Sequence, residues 1–153
     1  MIPWLYQNKY YIIYLCFRRI SINNIFEDEC YANLSKGAET HHYFGFLYNN
    51  NYLCVTDNNS KFIKIWDLIH KNIWKEFNYD DTKGGLGIIQ WNKIYTIVAG
   101  TSGLIVVNIE EGKMTEKIIT NNKIYQIKKI KTSQLGECLI CSDCQNNIII
   151  YKL

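Results

Sequence analysis

The chain has 153 residues, of which 48% are hydrophobic, 14% aromatic and 20% charged, with 9 Gly and 1 Pro. That is the size of one ordinary domain, and the composition excludes a disordered segment, a linker or a collagen-like chain. Lys and Arg number 17 against 14 Asp and Glu, a net charge of +3, which does not call for a nucleic-acid duplex as partner.

In chain order, the first apolar stretch is residues 4–17. Gln7, Asn8 and Lys9 interrupt it, leaving a run of eight residues from Tyr10 to Phe17. A membrane span needs about 18–20. A signal peptide needs a positive start, an apolar run and a small-residue cleavage site, and this pattern is not formed. An intracellular, cytoplasmic chain is expected, with a nuclear or cytoskeletal complex as further settings. On that expectation Cys16, Cys30, Cys54, Cys138, Cys141 and Cys144 are reduced thiols packed as small apolar side chains.

Short β-branched and aromatic runs separated by polar turns predict an all-β fold. ISINNIF (20–26), FIKIWDLI (62–69), LIVVNI (104–109) and IIIYKL (148–153) superimpose without gaps, so that Asn23, Trp66, Val107 and Tyr151 fall together. Apolar runs recur before and after each of these anchors. The resulting units are 1–35, 41–78, 86–119 and 124–153, each of four strands except the last, which lacks its outer strand. A period of 41–44 residues with four strands per unit predicts a β-propeller-like array of about four antiparallel blades. A lone twisted sheet cannot hide both apolar faces, whereas stacking sheets face to face covers them. Three closures are open: a fragment of a larger propeller, an open arc completed by another chain, or a ring of four blades. In an open arc the uncovered end faces favour self-association.

The segment TDNNSKFIKIWDL (56–68), ending in Trp66-Asp67, resembles the end of a WD40 repeat, and His41 and His42 stand near the place of that family's Gly-His pair. The resemblance extends over nearly the whole chain by period and over one unit by motif. It implies a propeller, and a buried network of Trp66, Thr56 and His41 or His42, with Asp67 in the terminal dipeptide.

Candidate chemistry is sparse. Cys138, Cys141 and Cys144 have a spacing that can hold zinc or an iron–sulfur cluster. No fourth ligand lies nearby, however, and a separation of three on a strand points Cys138 and Cys141 to opposite faces. No metal and no cofactor is expected. The His41-His42 pair has no nucleophile or acid pattern beside it. KGGLG (83–87) lacks the spacing of a phosphate loop and reads as a connection between blades. Lys128 lies on the opposite strand face from Ile127 and Lys129, so IKKIK (127–131) forms no basic patch. Tyr43, Trp74 and Trp91 are candidate interface aromatics.

The resemblance implies a non-catalytic scaffold that binds a protein or peptide partner through its loops, and no enzyme. The candidate contact residues are His42, Asp57, Asn59, Lys83, Thr101, Ser102, Asp143 and Gln145. Two alternatives stand beside it. One is a remnant that acts only within a larger propeller. The other is a propeller-type hydrolase, for which the inner strands offer only His42, Gln90 and Lys128.

Overall fold

The computed structural model describes residues 1–16, 19–27, 29–36, 43–59, 61–79 and 85–152. The described residues form fifteen strands and no helix. The first sheet contains β1 (Ile2–Tyr6), β2 (Lys9–Cys16), β3 (Arg19–Asn24) and β4 (Cys30–Lys36). The second contains β5 (Tyr43–Tyr48), β6 (Tyr52–Asp57), β7 (Phe62–Asp67) and β8 (Asn72–Asn78). The third contains β9 (Gly87–Gln90), β10 (Tyr95–Gly100), β11 (Gly103–Asn108) and β12 (Lys113–Ile119). The fourth has three strands, β13 (Ile124–Thr132), β14 (Gly136–Asp143) and β15 (Ile148–Tyr151). Each sheet is an antiparallel meander with strands in chain order. The protein is therefore all-β, with four antiparallel sheets of three or four strands each.

The reason for near-continuous apolar strands is visible in the core. Leu53 and Val55 of β6 join Trp4, Ile13 and Ile22 between the first and second sheets. Cys54, between them in sequence, faces the other way and packs with Ile65, Val98 and Ile105 between the second and third sheets. Leu104 in turn packs with Ile124, Leu139 and Cys141 between the third and fourth. Leu104 and Ile105 are adjacent in β11 and point to opposite faces, yet both are fully buried. The two middle sheets thus bury both faces, which a two-layer sandwich does not do.

The third strand of each four-stranded sheet ends in a side chain that caps the following turn. The Asn24 Oδ1 accepts from Phe26 N at 2.9 Å. The Asp67 Oδ1 accepts from Ile69 N and His70 N at 2.9 and 3.0 Å, and Asn108 Oδ1 from Glu110 N and Glu111 N at 3.0 and 3.1 Å. Asp67 is therefore an Asx-turn residue, a role that Asn fills equally well in the neighbouring sheets. Burial works to raise its pKa, but the bonds from His70 and Ile69 outweigh that and hold its carboxyl below the usual range.

Each outer strand also carries a bulge at one equivalent place. Asn23 pairs with Cys30 and Ile22 with Ala32, leaving Tyr31 unopposed. The same shift leaves Trp74 unopposed in β8 and Thr115 unopposed in β12. The extra residue deepens the local twist of the outer strand.

Candidate functional site

The strands that open the four sheets, β1, β5, β9 and β13, contribute together to a cavity of about 940 Å³. Its walls include Ile2, Leu15, Phe44, Ile88, Ile127 and Ile140, with Gly87, and with Gly45 where a neighbouring backbone approaches closely. A Cβ on Gly45 would stand 2.5 Å from the Cys54 carbonyl oxygen and 2.7 Å from Val55, so only glycine fits that wall. On the fourth sheet the cavity is lined by Gln126, Lys128, Ile140, Ser142 and Ile148. Gln126 pairs with Ser142 and Lys128 with Ile140, so these residues share one face of the β13–β14 ladder.

Antiparallel alternation puts the second-to-third turn of every sheet at the end where its first strand begins. The cavity-lining starts of the first strands and those turns therefore share an end in each sheet. The turns hold most of the residues expected to meet a partner, but not all of them are presented outward. Asp57 and Asp143 are only 5% and 3% exposed. The Asp57 Oδ1 accepts from Asn59 N at 2.9 Å, and Asp143 Oδ1 from Gln145 N and Asn147 N, each at 2.9 Å. The other oxygen of Asp143 accepts from the amides of Asn147 and Asn122 at 2.9 and 2.8 Å. These bonds, the Asn147 amide first, pull the Asp143 carboxyl down to about 2. Both acids thus cap their own turns. Asn59 and Gln145 are exposed, and Thr101 and Ser102 are half-buried. His41, His42 and Lys83 lie outside the described residues.

Of the expected buried network, Thr56 and Trp66 lie among the described residues and are not hydrogen-bonded to each other. The Thr56 hydroxyl contacts Tyr79 Oη at 2.9 Å and donates to the Phe62 carbonyl at 3.2 Å. Trp66 packs against the core between the first and second sheets, and its buried indole N–H has no acceptor among the described residues, as is also true of Trp4. The Thr56–Tyr79 pair was not legible in the sequence, because Tyr79 follows the last strand of its sheet.

The cysteines form no metal centre among the described residues. Cys138 and Cys141 are buried, while Cys144 is exposed beyond the end of β14. Cys141 faces the third sheet, and burial pushes its thiol up to about 11. Among the candidate aromatics, Trp91 is covered by Lys129, whose Nζ lies 4.7 Å from the ring centre and donates to the Trp91 carbonyl at 2.6 Å. Tyr43 lines the cavity. Trp74 remains half exposed beside Tyr52, at 4.9 Å between ring centres.

No helix of the described residues is long and apolar enough to cross a membrane. No family model matches this sequence, and no curated protein is found to match it.

Proposed function

We propose that the chain is a non-catalytic interaction module of the WD40 type, a propeller-like array whose loops bind a protein or peptide partner. The observation that carries this reading is the sharing of one cavity by the leading strands of four successive sheets. Three apolar cores fix each sheet against the next. Loops on such a frame are ordered before binding, so little conformational entropy is lost when a partner docks. Asn59 and Gln145, exposed on second-to-third turns of two sheets, are the residues best placed to touch it.

Co-purification from native extract tests the reading, with the natural chain run beside the Asn59→Arg, Gln145→Arg double variant. A stoichiometric protein partner retained by the first and lost from the second supports it. Repeated recovery of the bare chain refutes the partner, and equal retention by both refutes the assignment to these loops.

A further inference from the structure

We infer that the shared cavity is a binding site for an apolar carboxylate, a molecule with an aliphatic body and one anionic head. The reasoning rests on the fourth sheet's wall. Gln126, Lys128 and Ser142 stand on one face of the β13–β14 ladder, and all three line the cavity. Between them they offer an amide, an ammonium and a hydroxyl as donors. None of the three side chains makes a hydrogen bond or ion pair among the described residues, whereas the adjacent Lys129 is bonded to both Trp91 and Glu137.

The charge around these donors is one-sided. Lys128 is the one charged side chain among the described residues lining the cavity, and no carboxylate there neutralises it. The facing walls include Ile2, Leu15, Phe44 and Ile88, whose side chains offer apolar contact and no hydrogen bonds, with Tyr43 beside them. A carboxylate fits the donor strip because charge-assisted hydrogen bonds are the strong ones. An apolar body fits the rest, in a volume of the size usual for small-molecule sites. A cation would meet Lys128 with no acid among the described lining residues to offset it. A neutral alcohol would leave the ammonium without an anionic partner.

The probes are dodecanoate, 1-dodecanol and dodecyltrimethylammonium, titrated calorimetrically into the whole chain below their micelle concentrations. Dodecanoate is expected to bind at one per chain, at least tenfold tighter than either of the others. Lys128→Met should weaken dodecanoate about tenfold and leave the alcohol unchanged. Ser142→Ala should weaken dodecanoate by a smaller factor. Lys128 is exposed, so its replacement leaves the fold intact, and circular dichroism checks this. Equal affinity for the three probes, binding unchanged by Lys128→Met, or no saturable binding of dodecanoate would each overturn the assignment. The outcome is independent of the protein partner, since Asn59 and Gln145 do not line the cavity.

Discussion

If the middle sheets are stacked on both faces, two adjacent residues of one strand should each be core residues of a different interface. Leu104 and Ile105 make the test. Leu104 faces the fourth sheet and Ile105 the second, and both have no exposed surface. Truncation of either to alanine removes about three methylene equivalents, or roughly 2.4 kcal/mol of transfer free energy. The cavity left behind brings the expected cost to about 3 kcal/mol or more. For a chain of this length each kcal/mol moves Tm by about 2–4 °C, so each variant should melt about 6–12 °C lower. Ile150 on β15 supplies the control. It is 53% exposed, and Ile150→Ala should lower Tm by no more than about a third of that amount. Thermal and urea unfolding followed by circular dichroism read all three. If only one of Leu104→Ala and Ile105→Ala is costly, the third sheet has one buried face and the stacking argument fails.

The remaining predictions concern the seams, the turns and the thiols. Lys129→Met keeps the aliphatic stem but removes the bond to the Trp91 carbonyl, the contact with the Trp91 ring and the ion pair with Glu137 at 2.9 Å. It should cost about 1–2 kcal/mol and shift Trp91 emission, and an unchanged Tm with unchanged emission would discount this clasp. The Asp143 carboxyl titrates near 2 when folded, below its unfolded value near 4. Its contribution is complete above pH 4 and fades as pH falls toward 2, so an Asp143→Asn variant should lose less stability over that window than the natural chain. Identical acid unfolding profiles would refute the turn-cap role. Alkylation at pH 8 under native conditions should modify the exposed Cys30 and Cys144 first and spare the buried Cys54, Cys138 and Cys141. Rapid modification of all of them would mean that the sheets do not shield one another.

How much of this was legible in the sequence depends on how local each signal is. Strand positions were readable because polar turns punctuate every apolar run. The repeat was readable because Asn24, Asp67 and Asn108 do the same local work, accepting from backbone N–H groups two or three residues ahead. Sequence also showed that Cys138 and Cys141 diverge, since residues three apart on a strand face opposite ways. It could not separate a loop acid offered to a partner from one turned back on its own backbone, as Asp57 and Asp143 are. The available signal was the Asp itself at the strand-to-turn junction, a residue type that bonds the backbone two residues on. The bulges were not readable, because Tyr31, Trp74 and Thr115 share a position and no chemistry. The cavity was not readable either, because residues from Ile2 to Ile148 converge on it only after four sheets have stacked.

The seams between sheets show how different residues make one kind of contact in this chain. Lys71 and Gly112 occupy matching turns of the second and third sheets, and both are left-handed, with φ of 57° and 68°. That conformation costs a lysine about 1 kcal/mol and a glycine almost nothing. Lys71 gives something back: its Nζ donates to the Tyr31 carbonyl at 3.1 Å and lies 4.0 Å from the centre of the Tyr31 ring, tying the second sheet to the first. Gly112 can tie nothing. At that seam the cation comes from the opposite side, where Lys75 donates to the Ile109 and Glu110 carbonyls of the third sheet's turn at 3.2 and 2.6 Å and sits 5.1 Å from the Trp74 ring centre. Both seams therefore have an ammonium group beside a bulged aromatic and bonded to carbonyls across the gap, though the lysines occupy different positions in the repeat. Spacing is fixed by strand length and sheet stacking, which every unit shares. Identity is fixed only by the contact, which more than one residue can make.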